Sequence, residues 1–239
     1  MRIFERDSML DSLSEINIIR IIAAFAMLGL ASFFDLKKRE INDILWIGFS
    51  VLSAILIFLS PDIWASLRIV GVSLIVAPVA LVLWRFGVFG GADAFCLIVL
   101  ASLAPMFTLN TSQITPFSTL TNAAILSVTP LFVNLCRNVI AIVRKEDIFK
   151  GIDETRTKKI IAVFVGYRAK NPQYSFSLEK IVDGKKRLDF SLKHAEQTLF
   201  CNDHEVWVTP GVPYVLYITA GFVVQVFYGD IIFNAIRLF

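Results

Sequence analysis

The chain has 239 residues, of which 56% are hydrophobic and 18% are charged, and its formal net charge is +3. A soluble domain has about 45–50% apolar and about 25% charged residues, so a single water-soluble core does not account for this composition. The apolar residues fall in long blocks, which predicts a multi-pass, mainly α membrane protein. No basic stripe with interleaved aromatic residues is present, so no nucleic-acid partner is expected.

Six apolar segments are candidate transmembrane helices, because a helix needs about 20 mostly apolar residues to cross a bilayer. In chain order they are residues 16–34, 43–59, 63–84, 92–109 and 119–143, and a last segment that follows Gly211 and ends near Tyr228. Arg20 lies near the outer end of the first segment, where its side chain can extend to the membrane interface. Residues 230–239 are expected to form a short interfacial helix or to extend the last span.

A polar stretch, residues 144–205, lies between the fifth and sixth segments and holds most of the charge. Within it, the apolar run 160–165 predicts a buried strand. Alternation over 175–178 and 188–192 predicts two more strands, and Asp-Gly at 183–184 indicates a hairpin turn. A small α+β cytoplasmic subdomain inserted before the last helix follows. The predicted domains are residues 1–143 with helices one to five, 144–208 as the soluble subdomain, and 209–239 as the last helix and C-terminal segment.

The distribution of lysine and arginine predicts the orientation, because short cytoplasmic loops carry an excess of both. The basic loops follow the first, third and fifth segments, at residues 37–39, Arg85 and residues 144–145. The alternate loops carry neither residue type, at 60–62 and 110–118. This pattern places the N-terminus outside and the subdomain inside, so that Asp35 and Asp93 both lie at the cytoplasmic border.

These two aspartates are the candidate catalytic residues. Asp35 closes the first apolar segment, and Asp93 opens the fourth behind the loop of residues 90–92. A carboxylate at the border of a membrane span is unfavourable there and is a functional-site candidate. A pair of carboxyl groups that share a proton can hydrolyse an amide, since one takes a proton from water while the other hydrogen-bonds the carbonyl oxygen. Glycines before Asp93 allow a sharp turn and close approach of a substrate chain.

Other interpretations of these residues remain open at this point. Asp35 alone fits a solvated loop residue, and Asp93 alone fits an N-cap of the fourth segment. Prolines inside the third, fourth and fifth segments also fit a small proton- or ion-coupled transporter, although no internal repeat relates the halves of the chain. A non-catalytic assembly protein is the third alternative.

Three motifs resemble, in order, those of the type IV prepilin peptidases, a family of membrane aspartyl proteases. Residues 33–43 (FFDLKKREIND) are similar to the first catalytic region of that family, and residues 90–93 (GGAD) are similar to its Gly-x-Gly-Asp motif. Residues 208–214 (VTPGVPY), which precede Gly221, are similar to the stretch that leads into its last span. Two positions depart from the family pattern, since Ala92 stands where glycine is usual and Asn42 where proline is usual.

The resemblance implies an aspartyl endopeptidase that removes the leader peptide of type IV pilin-like precursors at the cytoplasmic face of the plasma membrane. The arrangement of spans and insertion is most similar to the archaeal preflagellin (prearchaellin) peptidases. The bacterial prepilin peptidases carry paired CxxC motifs and methylate their products, and such motifs are missing here, so no N-methyltransferase activity is expected. A sister peptidase for other pilin-like precursors is the alternative.

The resemblance also assigns roles to particular residues. The catalytic pair is Asp35 and Asp93, the active-site loop is Gly90, Gly91 and Ala92, and the residues that position the last helix are Pro210, Gly211 and Pro213. The partners would be preflagellin or related precursors, with a basic leader and an apolar helix, and the lipid bilayer. No cofactor is expected. No metal is expected either, because His194 and His204, even with Cys201, lack a third ligand at suitable spacing.

Overall fold

The structure is a computed structural model that describes residues 2–105, 115–191 and 198–237, with side chains from residue 15 onward. Its helices are α1 (Arg2–Lys38), α2 (Asp43–Phe58), α3 (Ile63–Ser73), α4 (Val76–Arg85), α5 (Gly91–Leu103), α6 (Thr115–Leu126), α7 (Thr129–Val143), α8 (Arg156–Val165), α9 (Tyr214–Phe227) and α10 (Ile231–Ile236). Its strands are β1 (Tyr167–Ala169), β2 (Ser175–Ser177), β3 (Glu179–Val182), β4 (Lys185–Leu188) and β5 (Val206–Pro210).

The chain divides into two compact units. The first contains Met1–Leu126 and Pro213–Phe239, and the second contains Ser127–Val212. The first unit is helical, and the second holds all the strands of the described chain together with α7 and α8. The domain boundaries predicted from the sequence, at 143/144 and 208/209, stay predictions.

Among the described residues, three helices are long and apolar enough to cross a membrane, and they run over Glu15–Lys38, Ile63–Arg85 and Thr115–Val143. The other apolar helices are shorter, at Asp43–Phe58, Gly91–Leu103 and Tyr214–Phe227. A helix of 16 residues measures about 24 Å, less than the hydrocarbon thickness of about 30 Å. The prediction of a mainly helical protein is confirmed, whereas the count of six membrane spans is not confirmed by these lengths.

Two of the long helical stretches are interrupted ahead of a proline. Helix α3 ends at Ser73 and α4 begins at Val76, and the proline that follows is Pro78. A proline lacks the N–H that would bond to the carbonyl four residues earlier, and its ring clashes with that carbonyl. The interruption between α6 and α7 precedes Pro130 in the same way.

Helix α5 lies at the centre of the first unit. Eight of its 13 residues are buried, and helices α1, α2, α4 and α9 all pack against it. Met27 of α1 and Phe222 of α9 join Leu97 and Leu100 of α5 in one apolar core. The helix that carries Asp93 is therefore enclosed by protein along most of its length.

The side chain of Arg20 turns inward and does not extend to the membrane interface, so that prediction is wrong. The residue is 5% exposed, and its Nη1 donates hydrogen bonds of 3.3 Å to the carbonyl oxygens of Ser102 and Leu103. The last carbonyls of a helix have no partner within the helix, and a cation interacts favourably with that end. Arg20 of α1 thus supplies hydrogen-bond donors to the carbonyl groups at the C-terminal end of α5.

Helices α6 and α9 pack at very short range through Gly221. A Cβ atom at Gly221 would lie 2.5 Å from the carbonyl oxygen of Thr119 and 2.8 Å from the backbone nitrogen of Ala123. The buried Asn122 reinforces the contact, since its Nδ2 donates to the carbonyl oxygens of Gly221 and Gly229. Its Oδ1 accepts from the N–H of Ile231, which fixes the start of α10.

The segment after α9 forms a separate short helix and does not extend α9, and its expected position at the membrane interface stays a prediction. Gly229 has a φ of +92°, which ends α9, and Asp230 is the N-cap of α10. Asp230 Oδ1 accepts from the N–H of Phe233 at 2.9 Å, and its Oδ2 accepts from the hydroxyl of Thr121 at 2.7 Å.

In the second unit, β1 and β2 pair with β5 in an antiparallel sheet of order β1-β5-β2, and β3 pairs with β4 in a separate hairpin. Trp207 of β5 is fully buried, stacks on Phe149 at 4.8 Å and donates from Nε1 to the carbonyl oxygen of Ile148. The predicted Asp183-Gly184 turn is confirmed. Both of its residues have positive φ, as a two-residue type I′ turn requires.

The strand prediction for 160–165 is wrong, because this run is the C-terminal part of helix α8. A short apolar run without periodicity does not distinguish a strand from a helix. Two buried amides of α7 complete the end of α8: Asn138 Nδ2 donates to the carbonyl oxygens of Val163 and Gly166, and Asn134 Nδ2 donates to that of Phe164.

The other two predicted strands fare differently. The one over 175–178 is confirmed for residues 175–177, which form β2. The one over 188–192 is wrong for residues 189–191, because β4 ends at Leu188 and the Asp189 carboxylate then accepts from the N–H of Ser191 in a local turn. Residue 192 lies outside the described residues.

We expect substitution of Gly221 by alanine to destabilise the first unit. Overpacking costs about 1–3 kcal/mol, and both atoms that the new methyl would meet belong to the backbone of α6. Thermal unfolding of the purified protein should show a lower midpoint for Gly221→Ala. Gly29→Ala is the matched control, because no atom lies within 4 Å of a Cβ at Gly29. Equal midpoints for the two variants would contradict the packing argument.

The hydrogen bonds of Glu154 predict that the stability of the β3–β4 hairpin depends on pH. Glu154 accepts from Lys158 Nζ at 2.8 Å and from the N–H of Leu188 at 3.1 Å. The hydrogen bond from Lys158 holds the pKa of Glu154 below its ordinary value of 4.5. A lowered carboxyl pKa contributes stability above the ordinary value, and this contribution is lost as the pH falls through the folded-state pKa.

Protection of the β4 amides against hydrogen exchange, corrected for the intrinsic pH dependence of exchange, should therefore fall as the pH drops below 4.5. The fall should be smaller in Glu154→Gln, which does not titrate. Glu146→Gln serves as control, because Glu146 is exposed. An unchanged pH profile in Glu154→Gln would refute the role of Glu154.

Candidate active site

Asp35 lies in the last turn of α1 and is half-buried. The helix ends soon after it, where Arg39 adopts a positive φ of 57° while its N–H still donates to the carbonyl oxygen of Asp35 at 3.0 Å. The guanidinium charge of Arg39 acts on the Asp35 carboxylate. The basic loop that follows the first helix therefore contributes directly to the surroundings of Asp35.

Asp93 lies in the first turn of α5 and is also half-buried. Its Oδ2 accepts a hydrogen bond of 2.9 Å from the N–H of Gly90, the N-cap residue of the helix. This bond satisfies one of the backbone donors that a helix N-terminus leaves without an intrahelical partner, and the helix dipole interacts favourably with a carboxylate there. The N-cap interpretation of Asp93 is therefore wrong in position, because Gly90 is the N-cap residue and the Asp93 carboxylate reaches back to it from the third helical position.

The loop before Asp93 is compact, but it has room for a methyl group at Gly90. A Cβ at Gly90 would lie 3.4 Å from Asp93 Oδ2, an ordinary van der Waals distance, so alanine fits at this position. Gly91 is buried, and Ala92 packs against the apolar core of the first unit. The small residues of this loop keep the Asp93 turn close to neighbouring helices.

Helices α1 and α5 bring the two aspartates to adjoining helix ends. They pack against each other, and Arg20 of α1 bonds to the far end of α5. The same antiparallel pairing places the C-terminal end of α1, with Asp35, beside the N-terminal end of α5, with Asp93. The thiol of Cys96 lies within the electrostatic reach of both carboxylates.

Sequence reasoning missed three residues that surround this region. Cys96 is fully buried one turn after Asp93. Phe89 is buried just before the Gly90 loop, and its ring lies 4.9 Å from that of Tyr214, the first residue of α9. The start of the last helix is therefore adjacent to the Asp93 loop. The only sequence signal for Tyr214 is its position directly after the proline-glycine stretch.

The residues predicted to position the last helix occupy the connection from β5 to α9. Pro210 is the last residue of β5, and Pro213 is the N-cap residue of α9. Gly211 donates its N–H to the carbonyl oxygen of Tyr174, and a Cβ at Gly211 would lie 2.8 Å from that oxygen. Only glycine fits there without displacement. Their role in positioning α9 stays a prediction.

Asn42, which replaces the usual proline of the related family, is the N-cap of α2. Its Oδ1 accepts from the N–H of Ile44 at 2.9 Å. Asparagine is among the preferred N-cap residues. This departure therefore provides the helix start with a side-chain cap.

Among the described residues, no group of three or more histidine, cysteine or acidic side chains could hold a metal ion. His204 contacts the carbonyl oxygen of Lys170 and the side chain of Asn171, and the thiol of Cys201 lies 3.9 Å from Asp203 Oδ2. His194 lies outside the described residues. The expectation that the protein uses no metal or cofactor stays a prediction.

Sequence comparisons identify the family. The profile of the type IV leader peptidase family matches residues 22–133, a segment that includes both Asp35 and Asp93. A second profile, the type II C-terminus of archaeal A24 peptidases, matches residues 171–231. The chain belongs to the type IV leader peptidase family. The family prediction from the three motifs is confirmed, and the protein is a protease.

Curated relatives resemble the chain over nearly their whole length. A preflagellin peptidase of Methanocaldococcus jannaschii is 25% identical over 225 residues, which cover 88% of this chain and 93% of the relative. A preflagellin peptidase of Methanococcus maripaludis is 24% identical over 233 residues, covering 88% and 94%. One from Methanococcus voltae is 25% identical over 244 residues, covering 89% and 97%.

The hydrogen bond from Gly90 to Asp93 can be tested with two substitutions at one position. Gly90→Pro removes the N–H donor, whereas Gly90→Ala keeps it and adds a methyl at ordinary contact distance. A hydrogen bond to a charged group contributes about 1.5–3 kcal/mol, so leader peptidase activity should fall about ten- to hundredfold in the proline variant. The alanine variant should retain activity.

The measurement is the rate of leader removal from a membrane-inserted precursor, at a temperature well below the unfolding midpoints of both variants. An equal loss in both variants would instead mean that the missing side chain of Gly90, rather than its N–H, is what the enzyme needs.

Proposed function

We propose that this protein is a membrane aspartyl endopeptidase that removes the leader peptide of preflagellin at the cytoplasmic face of the cell membrane. The observation that carries the proposal is the placement of Asp35 and Asp93 at adjoining ends of two packed helices, inside the segment that matches the leader peptidase family. The names of the relatives favour preflagellin as the substrate.

In the proposed reaction the two carboxyl groups share one proton. The ionised group removes a proton from a water molecule, whose oxygen attacks the carbonyl carbon of the scissile peptide bond. The protonated group donates a hydrogen bond to the carbonyl oxygen, where negative charge develops, and then protonates the leaving nitrogen as the C–N bond breaks. Asp93 is held for this chemistry by the N–H of Gly90, and Asp35 by the end of α1.

The proposed topology retains six membrane crossings, with the N-terminus outside and the polar residues 144–208 on the cytoplasmic side. Three long helices support three crossings, and the shorter α2, α5 and α9 would be the other three. The burial of α5 supports its inclusion, because a helix enclosed by others needs less length than one exposed to lipid. Basic residues 37–39 and 144–145 support the orientation.

A sister peptidase for other type IV pilin-like precursors is the second candidate. The same pair of aspartates would serve it, and the resemblance of residues 33–43 and 90–93 extends to the wider prepilin peptidase family. Incubation of the enzyme with a preflagellin and with another pilin-like precursor, side by side in the same membranes, distinguishes the two substrates. Mass spectrometry of the product should show a free N-terminal amine without a methyl group.

We expect Asp35→Asn and Asp93→Asn each to abolish cleavage of a membrane-inserted preflagellin. General acid–base groups contribute about 10²–10⁴-fold to a rate, and an amide cannot exchange a proton in the same way. The assay follows conversion of precursor to mature protein. Asp62→Asn is the matched control, because Asp62 is the N-cap of α3 and asparagine caps a helix equally well.

Full cleavage by either variant would remove that aspartate from the catalytic pair. Loss of cleavage together with a lowered unfolding midpoint would point to a structural role, most directly for Asp93, whose carboxylate also accepts a bond from Gly90.

A further inference from the structure

Helices α7 and α8 run antiparallel and side by side. The carbonyl oxygens at the C-terminal end of α8 bond to Asn134 and Asn138, which lie in the middle of α7. Lys159, nearer the start of α8, lies over the ring of Phe149, which follows shortly after α7, so the N-terminal end of α8 lies toward Val143, where α7 ends. We call these two helices, with their connection, the α7–α8 hairpin (residues 129–165).

Charged and apolar residues separate along α8. Its first turn carries Arg156, Lys158 and Lys159, and its remaining turns carry Ile160, Ile161 and Phe164. These three apolar side chains, the apolar face of α8, are 62%, 43% and 40% exposed. Lys158 is bonded to Glu154, and Lys159 lies over the ring of Phe149.

More cations lie at the same end of the hairpin. Arg144 and Lys145, directly after α7, are exposed, as is Arg156 at the start of α8. Because the two helices are antiparallel, these three residues lie at one end of the hairpin, and the apolar face of α8 extends away from them. Exposed apolar side chains accompanied by lysine and arginine are typical of a helix that lies in a membrane interface.

Helix α7 is the C-terminal part of the candidate span Thr115–Val143. We therefore expect the α7–α8 hairpin to lie next to the membrane. A helix that leaves a bilayer and is followed by an antiparallel partner directs that partner back toward the same leaflet. Val139, Ile140 and Val143 in the C-terminal half of α7 are exposed and apolar as well. Exposed apolar side chains are thus present on both helices of the α7–α8 hairpin.

We propose that the apolar face of α8 is inserted in the lipid leaflet from which α7 emerges, with Arg144, Lys145 and Arg156 among anionic lipid headgroups. The occupant of this surface is the bilayer itself. Basic residues next to a membrane each contribute about 1 kcal/mol of attraction to an anionic leaflet, and burial of the apolar side chains adds to it. Residues 144–208 would therefore be anchored to the membrane by α8 in addition to their connections to α7 and α9.

Spin labels can report the depth of α8 in the full-length protein. The label is attached at Ile160→Cys in a background in which the native cysteines are replaced, with Cys96→Ala, Cys136→Ala and Cys201→Ala. The control is Ile181→Cys, because Ile181 on β3 is 73% exposed and lies outside the hairpin, compared with 62% for Ile160. The background must keep the unfolding midpoint of the parent protein.

In phosphatidylcholine–phosphatidylglycerol vesicles, the ratio of collisions with oxygen to collisions with a water-soluble nickel chelate should be several times higher at position 160 than at 181. Oxygen concentrates in the hydrocarbon, and the chelate stays in water. If the collision ratios at positions 160 and 181 were equal and both labels were accessible to the chelate, the proposal would be overturned. A label at 160 shielded from both reagents would also overturn it, since a second copy or another protein segment would then cover α8.

The role of charge is tested with two further variants of the labelled protein. Arg156→Gln should lower the collision ratio at position 160 in anionic vesicles and leave it unchanged in pure phosphatidylcholine. Lys180→Gln, which removes an exposed cation from β3, should change neither value. An unchanged ratio in Arg156→Gln would remove Arg156 from the lipid contact. None of these measurements depends on cleavage, so they remain informative whatever the substrate proves to be.

Discussion

The backbone groups at the two ends of α5 need partners inside an apolar environment, and the arrangement of the first unit depends on how they are supplied. Arg20 of α1 supplies donors to the last carbonyls, and the carboxylate of Asp93 accepts from the N–H of Gly90 at the start. Water is not present in a bilayer to satisfy such groups, so protein side chains must do so. Asp93 consequently has two tasks, because the carboxylate that completes the helix is also the one proposed to activate water.

The second unit meets the same requirement with neutral groups. Asn134 and Asn138, one helical turn apart on α7, complete the carbonyl end of α8. An amide donates these hydrogen bonds without introducing a charge. In both units the end of one helix is completed by the side of its neighbour. Helix ends therefore determine which helices pair and in which direction, in addition to the apolar packing between them.

The sequence predicts most of the helices and the two aspartates, because long apolar blocks and carboxylates at their borders are local features. Its errors concern residues whose partners are distant in the chain. Arg20 bonds to carbonyls that lie 82 and 83 residues later, and no local pattern indicates this. The run 160–165 is helical partly because Asn134 and Asn138 support its end. The contact of Phe89 with Tyr214 likewise joins residues that only the fold brings together.

The first unit is assembled from the beginning and the end of the chain, with the second unit inserted between them. Val215, Ile218 and Phe222 of α9 belong to the core around α5, and Gly221 contacts the backbone of α6. During biosynthesis, that core is incomplete until α9 has left the ribosome and entered its place. A nascent chain thus carries Asp35 and Asp93 more than a hundred residues before the helix that closes the core around α5 has been synthesised.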